Sequence, residues 1–186
     1  MVFTIVMCGY HPRCALDSTD GAEVRVDKIA RLIGECDWDI HDLSRVEVEP
    51  GGLPRFNMPM ELGIHLGARL LGEGRHRRKR ALILDADRHR YDAALSDING
   101  QDIEAHRNDP DEAIRCVRDW LSDHRPRDAP PLAGAGAMRD DYRLFNVEFA
   151  ELLPRRRLEP QTLTHSDFVY SIHDWIEFCA DRAFIG

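Results

Sequence analysis

A chain of 186 residues suffices for one domain, or one domain with an appended element, and can bury a real core. Its hydrophobic fraction of 43% and charged fraction of 31% belong to a globular protein and exclude a disordered one. The net charge of −8, with a pI near 5.6, argues against wrapping nucleic acid as the main task. The five cysteines, Cys8, Cys14, Cys36, Cys116 and Cys179, are odd in number and form no CxxC pair. They indicate neither a zinc knuckle nor a disulfide framework, and a reduced cytoplasm is expected. A signal peptide is not visible at the N-terminus, and no apolar stretch approaches the ~20 residues of a membrane span.

In chain order, "VFTIVMCG" is a short apolar run closed by Gly9 and is expected to be a buried strand. A helix follows, with Ala22, Val26, Ile29, Ala30 and Ile33 at the 3.6-residue spacing and an end near Gly34 to Cys36. "DWDIHDLS" reads as a second, half-polar strand. "RVEVEPGGLPRF" reads as a loop, punctuated by Pro50, Gly51, Gly52 and Pro54. Asn57 is the expected N-cap of a helix reaching about Leu71, with Pro59 tolerated in its first turn. The basic run "RHRRKR", Arg75 to Arg80, is expected to be a solvated helix end or turn, and "RALILDAD" a third strand.

"SDINGQDIEAHRN" is expected to be irregular. Asp109, Pro110, Asp111 and Glu112 then open a helix cleanly, as cap, first residue and acids at the positive end. A domain over 1–124 is therefore followed by a linker or long loop over 125–137, rich in Pro, Gly and Ala. Residues 138–186 form two amphipathic helices, marked by Met138, Tyr142, Phe145, Phe149 and Leu152, and by Phe168, Ile172, Trp175, Ile176 and Cys179. Their aromatics must pack on the main domain or on a partner chain.

Alternating strands and helices imply a parallel sheet covered on both faces, with ligands at the carboxyl ends of the strands. Those ends are Cys8-Gly9-Tyr10, His41 to Arg45, and Asp85 to Asp87. Glu61, in "GLPRFNMPMELGIHLG", lies in the helix after the second of them. The positive end of the helix dipole is expected to keep it ionised. His65 and Arg69 share its stripe and are the partners a purely structural role would give it. Gly63 and Gly67 offer a small face for packing on a strand.

"IHDLSR" followed by "PRFNMPMELGIHLG" resembles the strand–loop–helix unit of two related families. These are the nucleoside 2-deoxyribosyltransferases and the Toll/interleukin-1 receptor (TIR) domains that cleave NAD. The segment also resembles a bacterial group with "HDLSR…PRFNMP-ELG", some of whose relatives accompany antiphage systems. The resemblance implies an α/β, flavodoxin-like three-layer fold with a small parallel sheet, here with C-terminal helices added. It implies cleavage or transfer of an N-glycosidic bond of NAD, a nucleotide or a nucleoside, with Glu61 as the catalytic carboxylate. NAD enters as a substrate, and no cofactor is expected. The alternative it leaves is a TIR-like module that senses a nucleotide or binds a protein without chemistry.

A fixed carboxylate beneath the anomeric carbon suits an oxocarbenium-like centre, which it stabilises or captures. Around it, Asp42 and Ser44 offer groups for hydroxyls or a base edge, and Asn57 for ribose. Arg13, Arg45 and Arg55 are candidates for phosphate, and Gly9 with Tyr10 for the pocket wall. His41, Asp42, Asp85 and Asp87 form a competing magnesium or manganese reading that no metal motif accompanies. The expected partners are a small nucleotide ligand and a second copy or another protein, through the C-terminal helices. Nucleic acid and membrane are not expected.

Overall fold

The computed structural model describes residues 1–17, 19–45, 55–93, 95–98 and 100–185. The chain divides into two units. One comprises Arg13–Ala15 and Asp20–Cys116; the other comprises Met1–Pro12, Leu16–Thr19 and Val117–Gly186. The loop punctuated by Pro50, Gly51, Gly52 and Pro54 lies outside the described residues.

The first unit is α/β. Strands β1 (Trp38–Asp42), β2 (Arg80–Asp85) and β3 (Ile103–Ala105) form a parallel sheet in the order β1-β2-β3. Ile40 pairs with Leu82, and Ile83 with Ile103. The central strand is apolar and closed: Leu82, Ile83, Leu84 and Asp85 are at most 3% exposed, as expected for a parallel strand covered on both faces. Helix α2 (Arg25–Glu35) precedes β1 and ends where its periodicity predicts; Ile29, Leu32 and Ile33 are its buried apolar residues. Helix α3 (Asn57–Leu71) joins β1 to β2 and packs on β1. Leu62 of α3 meets Leu43, Ile83, Tyr91 and Ile103 in the core. The expected α/β class, with a small parallel sheet and added C-terminal helices, is the observed one, and the arrangement is consistent with a flavodoxin-like unit.

Three local expectations are corrected. "VFTIVMCG" is not a strand but helix α1 (Val2–Met7). It ends in a Schellman turn: the Gly9 amide donates to Val6 O at 2.8 Å and the Tyr10 amide to Ile5 O at 3.1 Å, with Gly9 at φ +81°. A buried strand and a buried helix turn share the same apolar signature at this length. Within "SDINGQDIEAHRN", expected to be irregular, β3 is a strand of three residues. That is too short for an alternation to show, and pairing with β2 is what selects it. Asn57 is the first residue of α3 and not its cap; Phe56 is the N-cap, and no side chain caps this end.

Helix α4 (Pro110–His124) begins as its sequence predicts, with the Asp111 amide donating to Asp109 Oδ1 at 2.9 Å. The second unit gathers α1, the end of α4, α5 (Ala135–Arg155) and α6 (His165–Ile185). Phe3 of α1 packs against Tyr142, Phe145 and Trp175, with ring centroids 5.3, 5.2 and 5.8 Å away. The aromatics of α5 and α6 thus close on each other and on α1. Trp175 Nε1 donates to Glu148 Oε2 at 2.7 Å. The segment before α5 is tied down by Arg118, whose guanidinium donates to Ala133 O and Leu132 O. Among the described residues, no helix is long and apolar enough to cross a membrane.

Candidate functional site at the carboxyl ends of the strands

Parallel strands end together, so their last residues converge. Asp42 closes β1, Asp85 closes β2, and His106 follows β3 directly. The backbone holds these ends close: the His106 amide donates to Asp85 O at 3.0 Å and the Arg107 amide to Ala86 O at 2.9 Å. Arg107 and Asn108 then turn the chain with φ of 53° and 56°, two consecutive left-handed residues.

That turn sets the state of the imidazole. The Asn108 amide donates to His106 Nδ1 at 3.1 Å, so the ring proton sits on Nε2 and is donated to Asp42 Oδ1 at 3.2 Å. Both ring nitrogens have protein partners, and His106 therefore orients Asp42. The Ser44 amide also donates to Asp42 Oδ1, at 3.0 Å. The other oxygen of Asp42 makes no hydrogen bond among the described residues.

Asp85 is 1% exposed. Its Oδ1 accepts the Ala86 amide at 2.6 Å and lies 3.2 Å from Arg90 Nε, while its Oδ2 is buried without a partner. Burial pushes its carboxyl above the usual range, opposed by the Ala86 amide and Arg90, and the carboxylates of Asp42 and Asp87 add to the rise. Arg90 also donates to Leu43 O and Ser44 O, so one guanidinium ties the end of β2 to the turn after β1.

Glu61 is the fifth residue of α3, past the first turn, which holds no acid. The dipole argument for an ionised group therefore gives way to burial, which raises its pKa, with Arg25 pulling the other way. Half-buried, Glu61 makes no hydrogen bond or ion pair among the described residues. Neighbouring Leu62 packs on Leu43, and α3 lies against the turn Leu43–Arg45, so this part of the helix stands at the level of the strand ends.

The expected site residues separate into groups. Asp42, Ser44 and Arg45 share one strand end and turn, and Asn57 and Glu61 the first half of the helix packed on it; Arg45, Arg55 and Asn57 are exposed. Arg13 instead pairs with Glu35 at 3.3 Å, where α2 ends before β1 begins, on the amino side of the sheet. Gly9 and Tyr10 belong to the helical unit, and the strand end that motivated them is a helix end. Cys8 fills core, as its place in an apolar run suggests; burial pushes its thiol up to about 11. Two open grooves of about 410 and 310 Å³ lie on the helical unit, lined from α5 onward, and gather none of these groups.

A second polar cluster, beneath α3, escaped the sequence reading. His65 Nδ1 lies 2.5 Å from Asp39 Oδ2, and so pairs with β1 and not with Glu61. Lys79, 2% exposed, is 3.3 Å from Asp39 and donates to Ile33 O and Cys36 O, capping the end of α2. His41 meets His65 edge to face, and burial is the main cause lowering its pKa to about 4. The clue was the alternation in "DWDIH": Asp39 and His41 stand on one face of β1.

Asp39, His41 and His65 offer ligand atoms within 4.8 Å of one another, a donor set suited to a borderline divalent ion. Lys79 already balances Asp39, however, so an ion would add two uncompensated charges to a closed interior. The cluster fits an ion-pair network that fastens α3 and the end of α2 to β1. The competing metal reading of His41 with Asp42, Asp85 and Asp87 does not hold together, since His41 faces α3 and His65.

The fold and the site define an α/β protein whose parallel sheet gathers carboxylates at its carboxyl edge. Comparison with protein-family models, with curated proteins and with solved structures finds no match.

Proposed function

We propose that the chain cleaves or transfers the N-glycosidic bond of NAD, a nucleotide or a nucleoside, with Glu61 as the carboxylate beneath the anomeric carbon. The observation that carries the reading is Glu61 itself: half-buried, without a hydrogen bond among the described residues, on the turn of α3 that packs beside the ends of the strands. A carboxylate without a structural partner in a partly dehydrated position is available to a developing cation, which it stabilises or captures covalently. Asp42, held by His106 and Ser44 through one oxygen, keeps the other for a ribose hydroxyl. In the antiphage setting that the resemblance implies, the substrate would be a cellular nucleotide.

Purified protein is expected to release nicotinamide from NAD or free base from a nucleoside or nucleotide. Glu61→Gln should lower turnover at least ~100-fold, while thermal melting stays within a few degrees of wild type. Turnover that survives the substitution would remove Glu61 from the chemistry.

The second reading is a TIR-like sensing or docking module without catalysis. It draws on Leu144 and Val147 of α5 and Tyr170 of α6, which remain 45%, 73% and 59% exposed after the aromatics have packed. Nucleotide binding measured by calorimetry with no product formed would favour it.

A further inference from the structure

Helix α3 carries more apolar surface than the sheet covers. Leu62 and His65 are buried, yet Phe56, Met60, Leu70 and Leu71 are 58%, 45%, 74% and 86% exposed. At about 100° per residue, Phe56, Met60, Gly63, Gly67 and Leu70 fall in one stripe opposite His65, with Leu71 on its margin. No charged residue interrupts that stripe. A Cβ placed on Gly63 or Gly67 would meet nothing within 4 Å, so its middle is an open hollow between large residues. The exposed apolar area is on the order of 500 Å², more than scattered surface residues account for, and approaches the roughly 800 Å² per partner of a standard interface.

We propose that this stripe is the contact face of a symmetric dimer, with α3 of a second copy packed antiparallel across it. The stripe is its own complement. Reversed end for end about His65, Met60 meets Leu70 of the second copy, and Gly63 meets Gly67 of the second copy. The two backbones then approach closely at the glycines, and the large side chains interlock on either side. A twofold interface demands this self-complementarity, because the same patch faces itself; a different partner would not. The proposal stands whether or not Glu61 is catalytic, since it rests on the opposite side of the helix.

Light scattering and sedimentation of the full chain, from about 1 to about 100 μM, should show a species of twice the 21.3 kDa chain mass. The informative variant is Gly67→Leu. It fills a hollow that is empty in the single chain and removes a glycine from a helix interior, so melting should hold or rise by a few degrees. It blocks the close approach, however, and should weaken association about tenfold or more. Leu70→Glu, which places a charge on the stripe, should do the same. A wild-type monomer throughout that range overturns the proposal. So does a dimer that both variants leave intact, or one broken by Val147→Glu on α5 and indifferent to Gly67→Leu.

Discussion

His41 shows how a single side chain can carry a pH response. Asp39, His65 and Lys79 surround it, and burial holds it neutral with a pKa of about 4 against an ordinary 6.5. The unfolded chain therefore takes up the proton first as pH falls. The stability it contributes is complete above about pH 6.5 and is lost progressively towards pH 4. Urea titrations across that window should show a loss of up to roughly 3 kcal/mol attributable to this ring. His41→Phe should flatten the curve over the same interval; an unchanged pH profile would mean the ring is protonated without cost. Glu61 obeys the same physics in the other direction. Burial raises its pKa, with Arg25 pulling the other way, so its charged form is the costlier one, and a developing cation beside it would offset that cost.

Among the elements, α1 and α4 contrast usefully. Both are closed by local devices written in the sequence: Gly9 at a left-handed position ends α1, and Asp109 before Pro110 starts α4. The cap of α4 was readable because Asp-Pro-Asp-Glu has one physical meaning. Gly9 was equally present, but a six-residue apolar run fits a strand as well as a helix turn. Gly9→Ala forces a side chain into φ +81° and should cost about 1 kcal/mol in chemical denaturation. A cost near zero would mean that the turn relaxes out of the left-handed region. In α3 the surprise runs the other way. Gly63 and Gly67 were expected to offer a small face for packing on a strand. Both glycines face open space, and Met60, Leu70 and Leu71 are exposed, as is the cap residue Phe56. Composition reports how much of a helix can be buried, not which side finds a neighbour.

At the scale of the molecule, the α/β unit is organised around β2, whose Leu82, Ile83 and Leu84 are closed on both faces. Leu84, fully buried in that strand, is the position at which a cavity cannot be refilled from solvent. Leu84→Ala should destabilise by about 2–5 kcal/mol, read as a lower urea midpoint with unchanged slope. A loss below 1 kcal/mol would mean that the core collapses around the gap. The helical unit is built from segments far apart in the chain. Met1–Pro12 joins residues beyond Val117 because Phe3 completes the aromatic cluster of Tyr142, Phe145 and Trp175.

The sequence by itself determined what acts over a few residues: the periodicity of α2, α4, α5 and α6, the strands β1 and β2, and the cap at Asp109. It also singled out Glu61, and the turn with Asp42 and Ser44, as neighbours along the chain. The pairing of β3, the burial of Lys79 within a basic run and the bond from Asp39 to His65 were decided only in the tertiary structure. So were the bond from His106 to Asp42 and the exposure of α3. Each of these depends on groups twenty or more residues apart, or on which face of an element finds a neighbour. Chain order carries no record of either until the sheet has formed.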